Sequence, residues 1–257
     1  MVSKMIKKCI PKSIRQRIRR RLLNSNGIAD EGLTISESWE RYARTHRSNL
    51  QLGDEWNEPE LIGIDVAADA IVPHLDEHVF SPYLGTCDTI MEIGPGGGRF
   101  TQILLPKCNR LLAVDTSPTM LDILAERFTD EKKIEYLVTD GQSIAAAADA
   151  SVDAAFSYGV FVHLQHWDIF NYLSEVARAL KPGGKAIIQH ANTFCELGWR
   201  QFTHDLPRQL NRHKNLGSFT VMSPQMMDQF AQRAGLKLVD AVTNVVRRDC
   251  ISLLAKA

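Results

Sequence analysis

Asp88-Thr-Ile-Met-Glu92-Ile-Gly94-Pro-Gly96-Gly97-Gly98-Arg99-Phe100 is the stretch on which the reading of this chain turns. A short apolar run ends in a glycine cluster, and an amphipathic run follows. That order predicts a buried strand, a tight loop and a helix start. Glycines in such a loop let a ligand approach the backbone, because a side chain there would stand in the way. The N–H groups at the start of the following helix favour a negative group on that ligand. A dinucleotide fingerprint would place glycine at the first, third and sixth positions. Here those positions hold Gly94, Gly96 and Arg99, so the last glycine is missing. What stands instead is Glu92-x-Gly94-x-Gly96-x-Gly98.

Downstream the pattern repeats. Leu111-Leu-Ala-Val-Asp115 and Val138-Thr-Asp140-Gly141-Gln142 each place a carboxylate at the end of an apolar run. Val152-Asp-Ala-Ala-Phe-Ser157-Tyr158 follows, then a Leu180-Lys-Pro-Gly-Gly184 turn and Ala186-Ile-Ile-Gln-His190. Strands are expected near 88–94, 109–115, 133–139, 152–158 and 185–191, with helices between them. Ser117 suits a helix cap, with Pro118 at the first helical position. Phe170, Leu173, Ala177 and Leu180 make one apolar helix face. Leu236–Val245 and Cys250–Ala255 read as two final strands. Alternation of this kind implies a largely parallel sheet covered on both faces, with a ligand along the edge where the strands end.

Taken in order over residues 88–191, these segments resemble the class I S-adenosylmethionine-dependent methyltransferases. The resemblance implies an α/β fold: a doubly wound, mostly parallel, seven-stranded Rossmann-like sheet with a C-terminal antiparallel hairpin. It implies S-adenosylmethionine as cofactor, with Glu92, Gly94, Gly96 and Gly98 cradling the methionine portion and Asp115 holding the ribose. Thr116 and Met120 would flank the adenine. Asp140 would accept from its amino group, with the Gly141 and Gln142 backbone nearby, and Ser157 would sit near the sulfonium. The implied activity moves a methyl group to an oxygen or nitrogen of a small-molecule, saccharide or lipid-linked acceptor. Two rivals stand beside it: a nicotinamide-dependent oxidoreductase, and a non-catalytic nucleotide-binding module whose basic arm meets a membrane or nucleic acid.

Methyl transfer from a sulfonium asks mainly for geometry, so positioning supplies much of the rate. A general base is needed only when the acceptor is a hydroxyl or a protonated nitrogen. His163, His166 and His190 are the candidate bases, since histidine titrates near neutrality and all three follow the fourth or fifth strand. Each also has a plain reading as a packing residue. His163-x-x-His166 lacks an accompanying carboxylate motif, so no metal is expected. Tyr158 is a candidate to stack on the acceptor. Arg200, Arg208 and Arg212 would suit an acceptor with phosphate or carboxylate groups, and Arg208 and Arg212 share one helix face.

The 257 residues suffice for one large domain with additions. Five scattered cysteines, with no Cys-x-x-Cys pair, suggest neither a disulfide framework nor a zinc site, and fit a reducing cytoplasm. No apolar run reaches membrane-spanning length. The net charge of zero hides an asymmetry: residues 1–23 hold nine of the 30 Lys and Arg and no acid. Ile10, Ile14, Ile18 and Leu22 would stripe a helix there, although Pro11 limits its upstream reach. Such an arm could touch an anionic membrane surface, act as an organelle-targeting segment or remain a solvated tail. Nucleic acid is disfavoured, because no aromatic-basic recognition motif is present. The expected organisation is a basic arm and linker over 1–34, a helical cap over 35–85 and the catalytic domain over 86–257. Ser36 is the expected cap of the helix that starts the 35–85 region. Within the domain, 192–222 interrupt the alternation as a lid, broken by Pro207 and Gly217. Trp39, Tyr42 and Trp56 either line the acceptor pocket or pack the cap onto the core.

Overall fold

The computed structural model describes residues 33–48, 59–144, 147–210 and 219–257. The basic arm 1–23, Trp56, Arg212 and Gly217 lie outside the described residues, as does the side chain of Arg208.

Seven strands form one sheet: β1 (Cys87–Ile93), β2 (Cys108–Asp115), β3 (Ile134–Val138), β4 (Val152–Ser157), β5 (Leu180–Ala191), β6 (Leu236–Val242) and β7 (Asp249–Lys256). The order across the sheet is β3-β2-β1-β4-β5-β7-β6. Strands β1 to β5 pair in parallel, and β7 runs antiparallel to both β5 and β6. The helices are α1 (Ile35–Thr45), α2 (Pro59–Ile62), α3 (Ile71–Leu75), α4 (Ser81–Leu84), α5 (Thr101–Leu104), α6 (Pro118–Arg127), α7 (His166–Ala179), α8 (Glu196–Leu210) and α9 (Pro224–Arg233).

Period-two alternation divides the strand side chains between two cores. Met91, Ile93, Leu112, Val114, Ala155 and Ile188 face Ile169, Leu173 and Val176 of α7 and Met227 of α9. Ile90, Leu111, Ala113, Phe156 and Ile187 face Ile71 and Leu75 of α3, Leu84 of α4 and Leu104 of α5. Each large side chain sealed this way contributes about 1.5–3 kcal/mol. The apolar runs of β1 and β2 are continuous because both of their faces are covered.

Four expectations need correction. The helical stretch 68–84 is not part of a cap: Ile71, Leu75, Phe80 and Leu84 are buried against the sheet, so it forms a core layer. Pro73 does not interrupt α3, because it lies in the first turn, where its missing N–H has no helical partner. Strand β5 begins at Leu180 rather than 185; Leu180 pairs with Val152, and a register shift follows between Val152 and Ala154. Helix α8 runs through Pro207, which sits near its C-terminal end and forfeits only one backbone bond.

The direction of winding reverses between β1 and β4, the central neighbours of the sheet. In open α/β sheets a crevice forms outside the strand ends at such a switch point. Ile93 and Ser157 are the paired residues that end these two strands. Helix α1 is the element that lies across those ends.

Candidate functional site at the switch point

The chain leaves β1 through a loop in which Gly94, Gly96 and Gly98 all take positive φ (70°, 55° and 86°). Gly94 is the tightest position. Its N–H donates to the Val114 carbonyl at 2.8 Å, and a Cβ on it would lie 2.2 Å from Val160 Cγ2. The loop is therefore clamped between β2 and the segment that follows β4, and only glycine fits.

Three acids mark the ends of successive strands. Glu92 is buried in β1, and its carboxyl accepts from Thr101 Oγ1 at 2.6 Å, which ties the strand to α5. Burial pushes its pKa to about 8, with the charge of Asp115 adding to the rise and the Thr101 bond opposing it. Asp115 ends β2 and accepts from the Ser117 N–H at 2.9 Å. Burial raises it to about 6, against hydrogen bonds from the Ser117, Thr116 and Gly96 backbones. Asp140 is exposed; it accepts from the Gln142 and Ser143 N–H groups at 2.9 and 2.7 Å, which hold its pKa below the ordinary value. Thr116 Oγ1 is buried without a hydrogen-bond partner, and a Cβ on Gly141 would stand 3.3 Å from it. A buried carboxyl held away from its ionised form and an orphaned hydroxyl at adjoining strand ends fit a ligand with a cationic and a hydroxyl-bearing part.

Helix α1 roofs this edge. Its cap is Thr34 rather than Ser36: Thr34 and Glu37 form a reciprocal capping box. Ser36 is thereby released to donate to the Asp140 carbonyl at 3.1 Å. Glu40 accepts from Ser117 Oγ, Thr119 Oγ1 and Thr119 N–H at 2.6, 2.7 and 3.1 Å, at the start of α6. Burial pulls its pKa up, but those bonds and the one from Arg44 outweigh it and hold the carboxylate at about 2. Tyr42 and Ala43 pack on Met120, which places Met120 beneath α1.

On the far side of the loop, Trp39 of α1 meets the His163 ring at 5.6 Å, and Phe219 meets it from the other direction at 5.3 Å. The insertion closes down through the Thr220 N–H, which donates to the Val162 carbonyl at 2.7 Å.

Several assigned residues fall elsewhere. Ser157 is fully buried, and its hydroxyl donates to the Ile93 carbonyl at 3.1 Å, so it staples β4 to β1 beneath the site. His190 is sealed in the core: Nε2 meets Ser252 Oγ at 2.9 Å, Nδ1 meets the Ala191 carbonyl at 2.8 Å, and burial lowers its pKa to about 4. It cannot reach an acceptor. His166 Nε2 is engaged by the Val221 carbonyl, which pins the end of the insertion to the start of α7. That leaves His163 beside the site. Arg200 lies exposed on α8, so the arginines near the strand ends are ones the sequence did not single out, Arg99 and Arg248. Glu40, Gln189 and Asp249 were missed as well. The Thr34-x-x-Glu37 spacing was a legible signal for the first of these, because it fixes the phase of α1.

Fold and site together define an α/β domain with a glycine loop and strand-end carboxylates where the strand order reverses. Residues 91–188 match the family described as a methyltransferase domain. A malonyl-[acyl-carrier protein] O-methyltransferase of Marinomonas is 32% identical over 109 residues, 40% of this chain and 38% of that protein. A probable ribosomal RNA small subunit methyltransferase A of Methanococcoides burtonii is 26% identical over 114 residues, 41% and 42% of the two chains. The match thus spans roughly 40% of the length of these curated relatives. The N-methyltransferase NodS of Bradyrhizobium japonicum, solved with S-adenosyl-L-homocysteine, superposes with a TM-score of 0.57 at 18% identity, covering 83% of this chain and 97% of that one. Over residues 91–188 the chain is thus similar to a methyltransferase domain, and its fold is that of the solved S-adenosylmethionine-dependent methyltransferases.

Proposed function

We propose that this chain transfers a methyl group from S-adenosylmethionine to an oxygen or nitrogen of a small-molecule, saccharide or lipid-linked acceptor. The observation that carries the reading is the clamped Gly94–Gly98 loop with buried Glu92 and half-buried Asp115 at the switch point. When bound, the cofactor supplies an electrophilic methyl group on a positively charged sulfur. Glu92 and the glycine loop would hold its methionine end, Asp115 its ribose, and Thr116 with the Asp140–Gln142 turn its adenine. Tyr158 and His163 flank the acceptor side, and His163 is placed to take a proton from a hydroxyl acceptor. Trp39 and Phe219 flank His163 and would exclude water there, which favours a small acceptor over a folded RNA surface.

Among the described residues no helix is long and apolar enough to cross a membrane. The four described cysteines are free thiols, in keeping with a reducing cytoplasm. For residues 1–23 the proposed role is a peripheral contact with anionic lipid, supported by their nine basic residues. Titration with S-adenosylhomocysteine tests the assignment, followed by transfer of a tritiated methyl group into fractionated extract. Absence of saturable binding by the folded chain refutes it.

A further inference from the structure

Helix α8 turns its polar side to the protein and its apolar side to water. At about 100° per residue, Trp199, Leu206 and Leu210 fall within ~40° of one another, while Gln201 and Asp205 lie ~120° or more around the helix. The polar side is the buried one. Asp205 is sealed, and accepts from the Phe219 N–H at 3.2 Å and from Gln201 Nε2 at 3.0 Å. At the start of the helix, a Cβ on Gly198 would collide with the Asn192 carbonyl, and Cys195 Sγ donates to the Arg247 carbonyl at 3.0 Å. The helix is thus seated firmly, and by the side a soluble amphipathic helix normally gives to solvent.

The outward side is correspondingly bare. Leu210 is 72% exposed, Trp199 49% and Leu206 37%, and Phe194, just ahead of the helix, is 68% exposed. Trp199 does not stand alone: its ring stacks on half-buried Phe202 at 5.0 Å. Scattered apolar groups are ordinary on a protein surface, but an aromatic and two leucines aligned on one helix form a face that marks a contact. Its place is the edge already described. The helix follows the turn that leaves β5 after Ala191, and its Asp205 holds Phe219, the ring that packs on His163.

Charge says what covers this face. Residues 199–218 contain Arg200, Arg208, Arg212 and Lys214, and their one acid is the sealed Asp205. The sequence charge of the stretch is therefore positive, as it is over residues 1–23. A second copy of the chain would set these cations against their own kind. A phosphate backbone would meet the cations and offer the leucines nothing. An anionic bilayer takes both: leucine and tryptophan enter the acyl boundary while arginine and lysine stay among the headgroups. We infer that the Trp199–Leu206–Leu210 face of α8 docks on an anionic lipid surface. Docking brings the strand ends, with the glycine loop and His163, up to the membrane.

The test uses the full chain without cofactor, so it is independent of the methyltransferase reading. Flotation is measured with phosphatidylcholine vesicles with and without phosphatidylglycerol; binding is expected where the anionic lipid is present. Trp199→Ser combined with Leu210→Ser leaves residues 1–23 intact and should weaken that binding by about 10-fold or more, with thermal melting and sedimentation unchanged. Trp199→Phe should keep the affinity and lower the fluorescence quenching produced by lipids brominated on their acyl chains. The second readout stands even if the double variant fails to fold. The inference is overturned if the parent does not bind the anionic vesicles. It is overturned equally if the double variant binds them as tightly as the parent, since residues 1–23 would then account for the contact alone. Quenching unchanged in Trp199→Phe overturns it, as does a parent dimer that the double variant dissolves and that vesicles do not compete away.

Discussion

Glu92→Gln should make this protein more stable and its cofactor site worse. The Glu92 carboxyl, ordinarily near 4.5, is pushed by burial to about 8 in the folded chain. The sign follows from proton counts. Below pH 4.5 both folded and unfolded states hold the proton, and the group has no effect on the equilibrium. As pH rises toward 8, the unfolded chain releases its proton and the folded chain does not, so stability falls. Each pH unit in that window is worth about 1.4 kcal/mol. By pH 7 the folded state has therefore lost on the order of 3 kcal/mol relative to pH 4.5. Glutamine removes the ionisation and still offers Thr101 Oγ1 an acceptor in place of the 2.6 Å bond. Urea melts of parent and variant at matched pH give the comparison. The variant should exceed the parent by about 3 kcal/mol at pH 7, and the two should converge near pH 4.5. S-adenosylhomocysteine should bind the variant more weakly at every pH, as expected where a site is kept at the expense of stability. A variant no more stable than the parent at pH 7, or a gap that does not widen with pH, refutes the reasoning.

Asp115→Asn preserves shape but removes a charged acceptor for the ribose hydroxyls; S-adenosylhomocysteine affinity should fall at least ~10-fold with the melting curve intact, as calorimetry and thermal unfolding can check. Gly94→Ala puts a methyl group 2.2 Å from Val160 Cγ2 at φ +70°, and should cost about 2 kcal/mol or more in urea unfolding. Glu40→Gln should loosen α1 alone by about 2 kcal/mol, seen as faster hydrogen exchange over residues 35–45 with the strands unchanged. In the parent, the Glu40 contribution is full above its ordinary 4.5 and disappears as pH falls toward about 2, so acid should release α1 by the same measure.

The strands were legible because their signal is local. Met91 and Ile93 alternate with Ile90 across one short run, and the carboxylates at its end and at Asp115 interrupt an otherwise apolar pattern. Burial on both faces leaves no other reading for such runs. The helices over 68–84 were misplaced for the opposite reason. Ile71, Leu75, Phe80 and Leu84 are an apolar stripe, and a stripe says that a helix packs without saying against which surface. Their position before β1 suggested a cap. The sheet face left uncovered by α7 and α9 claimed them instead. His190 was assigned by strand position alone; its neighbour along the sheet, Ser252, lies 62 residues away in sequence, and that pairing turns a candidate base into a core residue.

What escaped the sequence most completely is the polar grip that assembles the site. Glu40 reads as one acid among many on an amphipathic helix. Its role exists only because the open N-terminus of α6 presents Ser117 and Thr119 to it. The same holds for Arg248, which is tied into a network with Asp249, Gln189 and Gly159, residues drawn from three separate segments. Hydrophobic contacts repeat with the period of the element that makes them, so a single chain displays them. A hydrogen bond to a carboxylate across 77 residues has no period and needs no neighbours of its own kind. Burial then decides its strength: the bonds that hold Glu40 at about 2 are made where solvent is largely excluded, whereas the exposed pair of Arg110 and Glu135 at 2.6 Å contributes little. The glycine loop is thus written in the chain as a motif, while the roof over it arises only when the sheet brings distant strand ends to one edge.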